Sequence, residues 1–321
     1  MDSNYKISVV TPTLKRPNEV LGLLDTLKEQ NYLPFELILV DGAADDERRT
    51  EAVVLPIINN FPFRVRYFRH SGGTAIQRNY GIDRAEGELI AFVDDDVRLF
   101  PDFFENIVSV FKNDLKKEIG GITGYKDNLH FKLGERKRWI WYKRLGLLST
   151  YQPGTYDFKT GYPINTNMHP PFSGTRKVDF MTSACTVYRK EVTDSGLRFD
   201  LFFRDYGMLE DAHFALRAGK KWKLLQNGDA KCHELVSPGG RENRKKIGFK
   251  AVVNYYYVFK SIVGPLNFIQ KFRFFRYQLF ELFRIFYGWV RYRQSKYLDE
   301  LIGRFNGLWY CWLGNVKVES K

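Results

Sequence analysis

Gly87-Glu88-Leu89-Ile90-Ala91-Phe92-Val93-Asp94-Asp95-Asp96 is the stretch on which the reading of this chain turns. The apolar run from Leu89 to Val93 has the length and composition of a strand buried on both faces. Three carboxylates follow it at once. A buried strand that ends in acid delivers hard oxygen ligands to the carboxyl edge of a sheet, where open α/β folds bind their ligands, so the stretch predicts a divalent-cation site. Taken without its neighbours, the triplet is equally a solvated turn on the way to the helix that Pro101-Asp102 announces.

Outward from this point, strand and helix signals alternate. Ile7 to Val10 reads as a strand closed by Thr11-Pro12-Thr13, and Val20, Leu23, Leu24 and Leu27 then recur at helical spacing. Phe35 to Val40 is a second buried strand, ending on Asp41-Gly42. A polar helix over 45–58 leads to a strand from Val65 to Phe68, and Gly72-Gly73 opens a helix at Thr74. This alternation predicts a parallel sheet with helices on both faces. Between 119 and 235 the pattern loosens. Lys177 to Tyr188 reads as paired strands, 206–218 as a helix, and Lys223 to Leu225 and Ala230 to Cys232 as short strands. The aromatic, Gly- and Pro-rich stretch from Tyr125 to Pro171 is too long for a passive connection and reads as a binding segment.

With 321 residues, 44% of them hydrophobic, the chain can bury a large core and still carry an appendage. Its net charge of +13 is uneven: residues 244–321 hold 15 Lys or Arg against 4 Asp or Glu. Phe249 to Tyr292 adds 16 aromatic residues and a single acid, Glu281. Phe272, Phe275, Leu279, Phe283 and Phe286 recur at spacings of three or four with Lys271, Arg273, Arg276 and Arg284 among them, as an interfacial helix on anionic lipid requires. Helices packed on the rest of the protein, with basic side chains reaching outward, produce the same pattern. No nucleic-acid module accompanies the basic tail, so no nucleic-acid partner is expected. The three cysteines, Cys185, Cys232 and Cys311, form no Cys-x-x-Cys pair, which argues against a disulfide framework or structural zinc and points to a reducing compartment. No apolar stretch of signal-peptide length opens the sequence, and Ala251 to Gln270 is broken by Asn254, Lys260, Pro265 and Asn267. The expected location is cytoplasmic, either in solution or on the cytoplasmic face of the membrane.

Four blocks, in order and spacing, resemble the family 2 glycosyltransferases of the GT-A fold over roughly residues 5–240. They are Ile7 to Thr13 with Pro17, the strand ending Val40-Asp41-Gly42, the run from Gln77-Arg78-Asn79-Tyr80-Gly81-Ile82 through to Asp94-Asp95-Asp96, and Glu210-Asp211 followed by Leu216-Arg217. The resemblance implies an α/β, Rossmann-like fold with a mostly parallel central sheet flanked by helices. Its GT-A domain is expected over 1–240, with a nucleotide-sugar half at 1–118 and an acceptor half at 119–240, followed by a helical extension at 241–321. It further implies an inverting, metal-dependent transfer of a sugar from a UDP-, dTDP- or GDP-linked donor to a hydroxyl of a glycan or lipid-linked glycan, in surface polysaccharide or glycolipid assembly.

The same resemblance gives individual residues their expected work. Asp41 matches the aspartate that contacts the nucleobase, with Thr11 and Pro12 beside it. Asp94 and Asp96 are the outer members of a DXD motif, Asp94 facing ribose or metal and Asp96 on the metal; Asp95 is grouped with the donor contacts, at the least as the spacer that sets its neighbours on one side. Arg78 lies near the nucleotide. Asp211 is the catalytic base, Glu210 a supporting or acceptor-binding group, and Ser183 and Ala184 belong to the acceptor-side block, where Ser183 replaces a commoner glycine and acceptor identity does not carry over. His233 completes the metal shell and favours Mn²⁺ over Mg²⁺. Apart from the resemblance, Arg241 in the loop from Ser237 is a candidate diphosphate contact, and Trp139, Trp141 and Tyr142 are equally sugar-stacking platforms or aromatics packed in the core or on the surface. The key residues also have plainer readings: Asp41 as a turn former, Arg78 as a surface ion pair, Asp211 as a first-turn acid on a helix dipole, and His233 as a hydrogen-bonded structural residue at a strand end. For the chain as a whole the rivals are a non-catalytic nucleotide-sugar or membrane-surface binding protein and a nucleotidyltransferase.

Overall fold

A computed structural model describes residues 4–129, 133–204, 207–237 and 243–318. In chain order the elements are β1 (Ile7–Thr13), α1 (Pro17–Lys28), β2 (Glu36–Asp41), α2 (Arg49–Val54), β3 (Arg64–Arg69), α3 (Thr74–Ile82), β4 (Leu89–Val93), β5 (Val97–Leu99), α4 (Phe103–Asn113), β6 (Ile119–Lys126), α5 (Leu133–Arg144), β7 (Tyr156–Asp157), β8 (Tyr162–Pro163), β9 (Thr175–Lys177), β10 (Cys185–Arg189), α6 (Lys190–Asp194), α7 (Glu210–Ala218), β11 (Lys223–Glu234), α8 (Arg244–Val263), α9 (Phe268–Tyr292) and α10 (Ser295–Trp312). They divide into two units, Met1–Phe131 with Thr166–Gly240, and Lys132–Asn165 with Arg241–Lys321.

The first unit is built on a sheet ordered β3-β2-β1-β4-β10-β6-β11-β5, with β9 paired to β11. β3, β2, β1 and β4 are parallel, as the alternation predicts; β10 then runs antiparallel between β4 and β6, and β11 is parallel to β6. The run Leu89 to Val93 is the fully buried β4. α1 turns Val20, Leu23, Leu24 and Leu27 onto the sheet, so its helical spacing becomes core. The consequence for function is that β1, β2 and β4 all end at one carboxyl edge.

Three expectations about local pairing change. The polar helix over 45–58 shrinks to α2 and one 3₁₀ turn at Leu55–Ile57. Lys177 to Tyr188 does not form a hairpin: β9 pairs with β11, whereas β10 lies between β4 and β6. The two short strands after Lys223 are one strand whose register slips between Gln226 and Lys231. Asn227-Gly228-Asp229 fills that slip: the Asn227 side chain accepts the amide of Asp229, and Asp229 accepts the Ser173 hydroxyl and the Gly174 amide. Turn-forming residues thus make a bulge inside a strand.

In the second unit, α8 and α10 pack closely because Gly248, Gly303 and Gly307 lie at their contact: a methyl group at any of them would strike the backbone of the other helix. α9 begins with a capping box, Asn267 accepting the Gln270 amide while Gln270 accepts that of Asn267. Residues 132–165, expected in the first domain, belong here. Trp139 and Tyr142 of α5 are buried and pack on each other, Trp139 lies against Tyr162, and Tyr142 packs on Tyr277 and Phe280 while its hydroxyl bonds Glu281. Their aromatic surface is consumed in this core, so for Trp139 and Tyr142 the packing reading holds and the sugar-stacking one does not; of the three, only Trp141 is exposed, with Arg144 over its ring. Among the described residues no helix is long and apolar enough to cross a membrane.

Candidate active site

The central connection at the carboxyl edge is Arg78. Gly72 and Gly73, both at positive φ, make the sharp entry to α3, and the helix carries Arg78 beneath the end of β4. Arg78 is 3% exposed, and its guanidinium divides its hydrogen bonds: Nη2 donates to Asp94 Oδ1 at 2.8 Å and Nη1 to Glu210 Oε1 at 2.8 Å. The plainer reading of Arg78 as an exposed surface ion pair therefore fails. Burial alone disfavours its charge, but Asp94 and Glu210 more than compensate and hold it cationic. Glu210 also accepts the Thr74 hydroxyl at 3.2 Å.

A second connection runs through the backbone. Ala184 accepts the amide of Asp94 at 3.1 Å, and the amide of Ser183 donates to Asp211 Oδ2 at 3.3 Å. Arg78, Asp94, Glu210, Asp211, Ser183 and Ala184 are thus one constellation. Asp211 sits in the first turn of α7, whose preceding residue, Leu209, is held at φ 72°. Burial pushes the Asp211 carboxyl up to about 7, with the Glu210 charge adding to the effect and Arg78 and the Ala212 amide opposing it. A carboxylate so placed accepts a proton near neutral pH.

The middle acid of the triplet is more than a spacer. Asp95 is buried, accepting the Thr13 hydroxyl at 2.7 Å and Arg16 Nη1 at 3.0 Å, so both oxygens already have protein donors. Burial nonetheless raises it to about 6. Arg16 also lies 3.6 Å from Asp96, and the Ser237 amide donates to Asp96 Oδ2 at 3.1 Å. Burial, and then the charge of Asp94, raise Asp96 above the ordinary carboxylate range.

Asp41 is closed in this structure. It is fully buried, with Oδ1 accepting the Ala43 amide at 2.9 Å and Oδ2 the Tyr67 hydroxyl at 2.7 Å. Beside it Thr11 and Pro12 are interior residues of β1, in register with Leu39 and Val40, and the Thr11 hydroxyl is a buried atom without a hydrogen-bond partner. Gln77 ties the neighbouring strand ends together by donating to the carbonyls of Thr13 and Val40.

His233 is not brought into the acidic turn. β11 runs antiparallel to β5, so His233 faces Arg98 while the Asp96 carbonyl takes the amide of Leu235. The imidazole packs on Phe100, with Nε2 3.8 Å from Asp127. Among the described residues no three His, Cys, Asp or Glu side chains converge as a metal-binding group. Asp94 and Asp96 offer the oxygen chemistry that a hard divalent cation takes, and the mutual repulsion that raises Asp96 is what such an ion relieves. Arg241 lies outside the described residues, as does Tyr206 at the expected start of α7.

Arg16, Thr13, Gln77, Tyr67 and Thr74 are the partners that sequence reasoning passed over. Gln77 stood inside a quoted block, and Arg16 beside the quoted Pro17. Tyr67 carried no signal, because its role depends on which strand lies next to β2.

Comparison with known proteins agrees with this architecture. The family model for glycosyl transferase family 2 matches residues 8–196. The minor teichoic acid biosynthesis protein GgaB of Bacillus subtilis is 29% identical over 250 residues, 74% of this chain and 24% of that protein. An uncharacterized glycosyltransferase of Haemophilus influenzae is 31% identical over 33% of this chain and 34% of its own length. The aligned region thus spans about a third of one of these relatives and about a quarter of the other. Among solved structures, the mannosyltransferase PcManGT of Pyrobaculum calidifontis, in complex with GDP-Man and Mn²⁺, superposes with a TM-score of 0.57 at 14% identity, covering 96% of this chain and 88% of that one. Staphylococcus aureus TarS 1–349 gives 0.53 at 16% identity, over 84% and 69%. The fold is the GT-A fold of these neighbours, and the chain belongs to glycosyl transferase family 2.

Proposed function

We propose that this chain transfers a sugar, with inversion, from a nucleoside-diphosphate donor to the hydroxyl of a glycan or lipid-linked glycan acceptor. The observation that carries this reading is Asp211: a carboxylate poised near neutrality, anchored by the Ser183 amide and connected through Glu210 and Arg78 to Asp94. Donor and acceptor both act at the carboxyl edge of the first unit. Asp211 takes the acceptor proton as the acceptor oxygen bonds the anomeric carbon, and the bond from that carbon to the diphosphate breaks with its electron pair on the departing nucleoside diphosphate. The Ser183 and Ala212 amides keep the carboxylate oriented, and burial keeps it basic enough for the task. A divalent cation, Mn²⁺ or Mg²⁺, held by Asp94 and Asp96 would neutralise charge on the leaving diphosphate.

The kinship with GgaB supports an acceptor in surface polysaccharide assembly, and the three free, buried cysteines suit a reducing, cytoplasmic compartment. The test is transfer, with Mn²⁺, from a panel of UDP-, dTDP- and GDP-sugars to polyol-phosphate and glycan acceptors, alongside Asp211→Asn. Product formation by the parent, and its loss in the variant with donor binding retained, supports the proposal. Equal turnover by the two removes Asp211 from the base role, and pyrophosphate release from a nucleoside triphosphate replaces the reading with nucleotidyl transfer.

A further inference from the structure

We infer that the outward face of the α9–α10 hairpin is a docking surface for an anionic lipid bilayer. The two helices are joined only by Arg293 and Gln294 and lie side by side in the second unit. Between them runs an open groove of about 380 Å³ lined by Leu282, Phe283, Phe286, Leu301, Ile302 and Phe305. No polar side chain lines it. Phe283 is 67% exposed, Phe305 62% and Trp312 73%, whereas a core-facing aromatic of the same helix, Phe274, is 1% exposed. A protein that stays free in water rarely leaves so many large apolar side chains together on its surface.

The inward faces of these helices are already used. Gly303 and Gly307 bring α10 onto α8, and Phe274, Tyr277 and Glu281 of α9 are buried. What remains outside is therefore an additional apolar stripe rather than core turned the wrong way. Its charge selects the occupant. From 268 to 312 there are eight Lys or Arg and three acids. Two of the acids are engaged within the unit, Glu281 with Arg284 and Glu300 with Arg304. Lys271, Arg291 and Lys296 are exposed. A second copy of this chain would present the same positive surplus to the first, whereas an anionic bilayer presents the opposite charge around an apolar interior. Exposed Trp309 and Trp312 suit the boundary between headgroups and acyl chains.

The experiment is flotation of the full chain with vesicles of phosphatidylglycerol and phosphatidylcholine in equal parts, against phosphatidylcholine alone, at low and high salt. Expected is co-flotation with the anionic vesicles that weakens with salt, a loss of about fivefold in partitioning for each of Lys271→Gln and Arg291→Gln, and no flotation of Phe283→Glu/Phe305→Glu. Circular dichroism of the double variant separates lost binding from lost folding. A second readout is independent of those variants: brominated acyl chains quench tryptophan fluorescence of the parent, and Trp309→Phe/Trp312→Phe removes the quenching while flotation persists. Absence of parent flotation at low salt, flotation unchanged by Phe283→Glu/Phe305→Glu, or a concentration-dependent dimer that this variant abolishes without any vesicle binding, each overturns the inference. None of these readouts involves sugar transfer.

Discussion

The two units break opposite halves of the rule that apolar groups go inside and charge stays outside. At the carboxyl edge of the first unit, Arg78, Asp95 and Glu210 are buried; on the second, Phe268, Phe283 and Trp312 stand in the open. A buried charge persists only where partners satisfy it, and here each has one: Asp94 and Glu210 for Arg78, Thr13 and Arg16 for Asp95. An exposed aromatic has no such internal requirement and is explained from outside. Misplaced charge therefore points inward to a site, and misplaced apolar surface outward to a partner.

The strongest way to break this contrast is Asp211→Asn. Sugar transfer should fall on the order of 10³-fold, read as initial rate at saturating donor. Next is Arg78→Met, which strands Asp94 and Glu210 without their shared cation; chemical denaturation should show a loss of about 3–5 kcal/mol, and transfer should fall with it. Trp139→Ala probes the other unit: the cavity should cost about 3–5 kcal/mol of that unit's stability and leave the donor affinity of any folded protein unchanged, as titration calorimetry would report.

Smaller effects follow from acidity. With Asp211 in the proposed role of base and its carboxyl pushed up to about 7, kcat should fall about tenfold per pH unit below that point. Its folded value lies above the unfolded carboxylate value of about 3.9, so the native state binds the proton more tightly and stability declines as pH rises from about 4 towards 7. Asp211→Asn should accordingly melt higher than the parent at pH 8 while remaining inactive. The smallest change concerns Leu209, a bulky residue at positive φ: Leu209→Gly should relieve about 1 kcal/mol of backbone strain in thermal unfolding.

Local signals carried the first part of the fold. Apolar runs and helical spacing located β1, α1, β2, β3, α3 and β4 because each of those patterns is complete within a dozen residues or so. β9 and β10 were misjudged because a strand's partner is a long-range choice: their neighbours in sequence are not their neighbours in the sheet. Residues 132–165 fall in the other compact unit, which composition does not reveal, since aromatic content does not say whether a ring meets ligand or, like Tyr142, another helix. In the site, the family pattern located Arg78, Asp94, Glu210 and Asp211 and the geometry gathered them. It could not foresee that Tyr67 and the Ala43 amide occupy Asp41, or that His233 turns to Phe100, because both depend on strand register.

Arg78 touches Asp94 with one nitrogen and Glu210 with another, and its charge opposes protonation of Asp211. Two events that look separate, occupation of the Asp94 side and uptake of a proton at Asp211, therefore draw on one cation and are thermodynamically linked. Linkage is reciprocal: by whatever factor a ligand at Asp94 changes the proton affinity of Asp211, protonation of Asp211 changes the affinity for that ligand by the same factor. With the donor at Asp94 as proposed, its affinity measured against pH would thus report on Asp211 before any acceptor is present.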